Sequence, residues 1–270
     1  MPQLSFQGQK LFFSTTGTGP ALLFLHGFCE DSRMWDAFVA HFQKKYQVVR
    51  VDLPGFGQSE PLSGTTIREM AGAVRAVVKE LKLPPFVLAG HSMGGYIALA
   101  YAQAWPADIR AMAMIHSHPY EDDAEKKENR LKSADFVMRH GSDRYVAQMI
   151  PGLFAPDFAE KNRSIIKQLI AQASLYPPEG IADALRAMYQ RPDRSEVLRR
   201  ASFPVLFLIG TEDQAIPAEL SKQQTILPPS ASIHYLEGVG HMGMFEASEE
   251  TIEILEEFLR DLGLEGIERD

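Results

Sequence analysis

One serine set between glycines, in the run GHSMGG at residues 90–95, is the first group in this chain with a setting suited to chemistry. It stands where the apolar run PFVLAG gives way to the helix-like run MGGYIALAYA. A tight strand-to-helix turn strains its central residue by about 1–3 kcal/mol. Gly90 and Gly94 lack a Cβ, which permits the close approach such a turn requires. The helix that starts after Ser92 offers free N–H groups and a positive dipole end to an anion forming beside the hydroxyl. Strain joined to an anion-friendly setting describes a nucleophile elbow.

A serine hydroxyl is a poor nucleophile alone. It needs a base within hydrogen-bond reach, and that base needs an acid to hold it. Behind an elbow the partners follow in the chain order acid, then histidine. The run FLIGTEDQAIP presents Asp213 just after an apolar stretch, and GVGHMGMFE sets His241 in a glycine-flanked loop before the last helix. The oxyanion of acyl transfer needs two backbone donors. Met93, directly after the serine, supplies one, and Phe28 in LFLHGFCED supplies the second. The candidate site is therefore Ser92, Asp213 and His241, with the N–H groups of Phe28 and Met93. This chemistry calls for no cofactor and no metal.

Five short apolar runs could deliver these residues: ALLFLHG, YQVVRVDLPG, PFVLAG, RAMAMIHS and PVLFLIG. Continuous runs of this kind suit parallel strands buried on both faces. LSF-QGQ-KLFFSTT reads as a hairpin turning at Gly8. Helical stripes alternate with the strands. Ile67, Met70, Ala71, Val74, Val77, Val78 and Leu81 share one face, and Pro84-Pro85 closes that segment. Ile252, Leu255, Leu259 and Leu262 form another, with Ser248 as the expected N-cap. The alternation predicts an α/β chain with a doubly wound, mostly parallel sheet. It fails from about residue 116 to 200, where helices follow one another between prolines 151, 156, 177, 178 and 192. An all-helical insertion joined to the sheet at both ends predicts a lid over the site.

The 270 residues are 45% hydrophobic and 23% charged, with a formal net charge of −8. Such a chain can bury a large core. An acidic balance without basic clusters argues against nucleic acid or an anionic membrane as partner and leaves a small molecule as the expected substrate. The single cysteine, Cys29, forms no disulfide within the chain and suits a reducing compartment. No basic-then-apolar leader opens the sequence, so a cytoplasmic location is expected. These features leave the oligomeric state open.

Taken together, HGF at residues 26–28, DLPGFGQS at 52–59, GHSMGG at 90–95, GTEDQAIP at 210–217 and GVGHMGMFE at 238–246 resemble the α/β-hydrolase superfamily. The resemblance covers essentially the whole chain. It implies an α/β-hydrolase core over residues 1–115 and 196–270, with a helical cap at 116–195. It also implies Asp213 rather than its neighbour Glu212 as the acid. Members that use an aspartate nucleophile are set aside by Ser92. Cys29, where the cofactor-free haloperoxidase-like members tend to carry proline, weakens a perhydrolase reading. What remains is a serine hydrolase of small esters, thioesters or lactones. A lyase, synthase or C–C bond hydrolase using the same groups for proton abstraction is the alternative, and a ligand receptor on this fold a more distant one.

Neighbouring residues are expected to play lesser parts. His91 is expected to point away from the site, and His26 to organise its loop. Cys29 is expected to line the pocket, with Met93, Met242, Met244 and Phe245 packed around an apolar acyl site. His116, His118, Asp122 and Asp123 lie close in sequence, yet a zinc site needs three or four converging ligands and nothing else joins them. EDDAEKKENR is expected to be a solvated helix start. The alternative is that His118, Arg130 or Lys127 from this stretch reaches the substrate.

Overall fold

The apolar runs form the inner strands of one eight-stranded sheet in the computed structural model, which describes residues 2–264. Met1 and residues 265–270, at the ends of the expected core, lie outside the described residues. In chain order the strands are β1 (Gln3–Phe6), β2 (Gln9–Thr16), β3 (Ala21–Leu25), β4 (Gln47–Val51), β5 (Phe86–His91), β6 (Ile109–Ile115), β7 (Val205–Gly210) and β8 (Ala231–Leu236). Their order across the sheet is β1-β2-β4-β3-β5-β6-β7-β8. β1 and β2 make an antiparallel hairpin whose turn residues, Gln7 and Gly8, both have positive φ, the twist that tight hairpins favour. β2 runs antiparallel to β4, and β4, β3, β5, β6, β7 and β8 are mutually parallel. This is the expected α/β-hydrolase arrangement. β3, β5 and β7 are buried along their whole length.

The helices are α1 (Asp36–Phe42), α2 (Ile67–Glu80), α3 (Met93–Ala104), α4 (Ala124–His140), α5 (Ser142–Met149), α6 (Pro156–Lys161), α7 (Arg163–Ala173), α8 (Pro178–Gln190), α9 (Ser195–Arg199), α10 (Ala218–Gln224), α11 (Gly243–Glu246) and α12 (Ser248–Asp261). α2 buries the stripe read from sequence. It starts on a capping box in which Thr66 and Glu69 satisfy each other's backbone N–H groups. From α4 to α9, between β6 and β7, the described residues form helices and no strand.

Two expectations are corrected. The chain makes an eighth strand, β8, that no continuous apolar run announced. Its residues alternate between half-buried and exposed because it is an edge strand, with Ile233 and Tyr235 partly open to solvent. Ser248 is the first residue of α12, not its cap. Ala247 holds the cap position, because the turn of α11 runs straight into α12 and Ala247 N–H bonds to Gly243 O.

Because the inner strands are parallel, their carboxyl ends share one edge of the sheet. Phe28 follows β3, Ser92 follows β5, His116 follows β6, Asp213 follows β7 and His241 follows β8. The chain leaves β3 toward β4 on one side and returns to β5 on the other. Open sheets bind ligands at such a reversal, and here it lies between Phe28 and Ser92.

Candidate active site

Ser92 sits at φ 50° and ψ −113°, between the last residue of β5 and the first of α3. A serine rarely adopts this conformation, and neighbouring bonds over-determine it. Its N–H donates to Ile115 O at 3.0 Å, and its carbonyl accepts from Gly95 N–H at 2.9 Å and from the Ser117 hydroxyl at 2.8 Å. The two glycines have the role expected of them. A Cβ on Gly90 would lie 2.5 Å from the carbonyl of Gly94, and one on Gly94 would lie 2.5 Å from Leu25 O. The first turn of α3 is thereby pressed against the end of β3 and the loop that carries Phe28.

Asp213 and His241 are joined by a 2.7 Å hydrogen bond from Nδ1–H to Oδ2, and both are buried. The other oxygen, Oδ1, accepts from the N–H groups of Ala215 and Ile216 at 2.9 and 2.8 Å. Burial works to raise the Asp213 pKa, but the imidazole of His241 and the nearby ring of His116 outweigh it. They hold the carboxyl well below the usual carboxylate range. Glu212, the rejected neighbour, is exposed. With Nδ1 committed as donor, Nε2 of His241 is left as the basic nitrogen, and among the described residues it makes no hydrogen bond.

Ser92, His241 and Phe28 line one cavity of about 190 Å³. Met93 is fully buried as the first residue of α3. Among the described residues the N–H groups of Phe28 and Met93 have no acceptor in the protein. Helix geometry explains the free Met93 N–H, since the first turn has no carbonyl behind it. Arrangements of this kind can bind an oxyanion.

Several lesser expectations change. His91 does not point away. It lines the same cavity, donating from Nδ1 to Glu30 Oε2 and from Nε2 to the carbonyl of His241, each at 2.9 Å. Each ring nitrogen faces an oxygen, and the Glu30 carboxylate beside the ring favours its protonated form. Burial lowers its pKa, and the Glu30 carboxylate more than reverses that. Glu30 in turn is held below its ordinary value by His91 despite its own burial. His26 does organise its loop. Its Nδ1–H donates to Gly27 O, and Nε2 accepts from Leu53 N–H. Cys29 turns into the core instead of the cavity, and burial together with Glu30 pushes its thiol up. Met93, Met242, Met244 and Phe245, expected around the pocket, likewise lie outside the cavity lining, in the core or packed against it. The apolar wall includes Tyr145, Met149, Leu153, Met188 and Ile216.

The two histidines of HSHPYEDD serve different places. His116 Nδ1 lies 3.7 Å from Asp213 Oδ2, too long for a hydrogen bond, and burial lowers its pKa to about 4. His118 sits behind the cavity wall with Nε2 3.3 Å from the Tyr96 hydroxyl, and burial beside Arg191 takes its pKa to about 3. Asp122 is buried between Arg191 and Arg130, with bonds of 2.7 and 2.6 Å. The start of α4 is therefore not simply a solvated face. Lys127 does turn outward to Glu121, but Lys126 and Arg130 line the cavity.

Sequence reasoning also missed Glu246. Its carboxylate accepts from Gly240 N–H and Met242 N–H, each at 3.0 Å, and from Ala155 N–H at 2.9 Å. One side chain thus clamps the His241 loop on both sides and ties it to residue 155. Its position five residues after His241, at the end of the glycine-flanked run, was the available signal.

Comparison with known proteins adds relatives to this geometry. A model of the "Alpha/beta hydrolase family" matches residues 22–254. A pimeloyl-[acyl-carrier protein] methyl ester esterase from Methylococcus capsulatus is 28% identical, over 92% of this chain and 98% of its own. A 2-succinyl-6-hydroxy-2,4-cyclohexadiene-1-carboxylate synthase from Escherichia coli is 28% identical, over 77% of this chain and 85% of its own. The solved structure of a thermophilic esterase from Thermogutta terrifontis superposes with a TM-score of 0.92 at 30% identity. It covers 97% of this chain and 99% of that one.

Proposed function

This chain belongs to the alpha/beta hydrolase family, and on that premise we propose that it is a serine hydrolase cleaving a small carboxylic ester, thioester or lactone. One observation carries the reading. The base His241, oriented by its 2.7 Å bond to Asp213, shares a cavity with Ser92 at the strained turn. In the proposed cycle His241 Nε2 takes the Ser92 proton as Oγ attacks the carbonyl carbon. The N–H groups of Phe28 and Met93 hold the oxyanion. Collapse expels the alcohol or thiol, protonated by His241, and leaves an acyl group on Ser92. Water, deprotonated by the same nitrogen, then releases the acid and restores the serine. Residues 116–195 act as a cap over this site. Esterase relatives support the reading. No helix of the described residues is long and apolar enough to cross a membrane.

Hydrolysis of p-nitrophenyl esters of graded chain length tests it. The wild type is expected to turn over the short esters and to be labelled on Ser92 by a fluorophosphonate, and Ser92→Ala to do neither. Equal hydrolysis by both proteins overturns the proposal. A second reading, proton abstraction in a lyase, synthase or C–C bond hydrolase, rests on the cavity cations Lys126 and Arg130, which suit a carboxylated substrate, and on the similarity to the synthase. Turnover of a C–C substrate without acylation of Ser92 would establish it in place of the first.

A further inference from the structure

The cavity above Ser92 is apolar on most of its wall, yet two cations from the first turns of α4 open onto it. Lys126 is half-buried and spends one of its three N–H donors on Ala215 O, at 3.1 Å. Arg130 uses only Nε, toward Asp122, so among the described residues its terminal amino groups donate to nothing in the protein. The local charges do not balance. Lys126, Arg130 and Arg191 surround one buried carboxylate, Asp122, which is already bound by both arginines. Glu121 and Asp123 lie on the exposed side, where Glu121 pairs with Lys127 and Asp123 caps α4. Glu30, the acid that lines the cavity among the described residues, is committed to His91. Burial and the charge of Arg130 already lower the Lys126 pKa, so an anion in the cavity would relieve a standing repulsion.

Resting on the hydrolase reading, we propose that Lys126 and Arg130 form a binding site for a free carboxylate on the substrate, so that the preferred substrates are half-esters or lactones bearing one acid group. The guanidinium edge and the ammonium supply the charge-assisted donors that a carboxylate takes up. Tyr145, Met149 and Leu153 face the short hydrocarbon link between that carboxylate and the ester carbon. A cavity of about 190 Å³ fits a link of a few carbons better than a long chain.

Monomethyl and dimethyl esters of succinate, glutarate and adipate offer the same reacting bond with and without the acid. The wild type is expected to favour a monomethyl ester over its dimethyl partner by tenfold or more in kcat/KM. Lys126→Met and Arg130→Met should each cut that ratio at least tenfold, and Lys126→Arg should restore most of it. A uniform loss from a disturbed Asp213 loop leaves the ratio unchanged, which makes the ratio the reading that decides. A wild-type ratio near one, or a ratio indifferent to both Met variants, overturns the proposal. Calorimetric binding of glutarate to the Ser92→Ala protein tests the carboxylate site without any turnover. Binding lost in the double variant Ser92→Ala/Lys126→Met supports it even if the hydrolase reading fails. Tighter binding of inorganic phosphate than of glutarate overturns the carboxylate assignment.

Discussion

Two carboxylate–imidazole pairs lie side by side in this molecule, and they differ in one bond. Asp213–His241 and Glu30–His91 are both buried and both short, at 2.7 and 2.9 Å, and the two rings stand 4.9 Å apart. In the first pair the distal nitrogen of the imidazole is uncommitted. In the second it donates to the carbonyl of His241 itself. A carboxylate beside a histidine therefore does not by itself define a base. The free nitrogen of His241 can accept a proton, whereas both nitrogens of His91 are committed, one of them to the carbonyl through which it holds the His241 backbone in place. The second pair supports the first through that bond.

Substitutions can break this contrast. The largest effect is expected at His241→Ala, which should lower kcat by about 10⁶-fold, with Asp213→Asn costing about 10⁴-fold through the wrong tautomer. Both are measured as hydrolysis of a short p-nitrophenyl ester. Equal losses at His91→Gln and His241→Ala would show that the two pairs share one role.

Glu30→Gln comes next. It leaves the buried His91 without its carboxylate partner and should cost about 3 kcal/mol of stability by denaturant melting, with a loss of about 10–100-fold in kcat from a displaced His241. Its pH dependence has a definite sign. His91 is raised above 6.5, so its contribution is fully present below pH 6.5 and fades as pH rises through the raised value. Glu30 is lowered below 4.5, so its contribution is present above pH 4.5 and fades as pH falls through the lowered value. The stability gap between wild type and Glu30→Gln should be widest between about pH 4.5 and 6.5.

The smallest effect concerns His116, which packs against both paired rings with neither of its own ring nitrogens bonded among the described residues. Its pKa is lowered from 6.5 to about 4, so the unfolded chain binds the extra proton over that interval. Stability is complete above pH 6.5 and declines as pH falls, by roughly 2 kcal/mol between pH 6.5 and 5. His116→Asn, which tolerates the φ of 45° at that position, should flatten this slope in melts run at the two pH values. An unchanged slope would remove His116 from the account.

How far the sequence could be read follows the same division. The parallel sheet, the α2 stripe and the strained turn were legible, because period, glycine placement and strand-to-helix succession act between neighbours in the chain. β8 was not, because an edge strand lacks the apolar run that marks the inner ones. The cavity wall was misassigned for a similar reason. Cys29 and Met242 adjoin the site in sequence yet turn into the core, while Met149, Leu153 and Met188 come to the wall from distant helices.

The sequence alone determined which residue types stand at the carboxyl ends of the strands: Phe28, Ser92, Asp213 and His241, in an order the topology then brings to one edge. Only the tertiary structure decided which way the neighbouring charges face. Glu30 reaches His91 across 61 residues, and Asp122 reaches Arg191 across 69. Such pairings depend on packing between elements, where burial makes an unpaired charge costly and each group turns to the partner that the fold brings within reach.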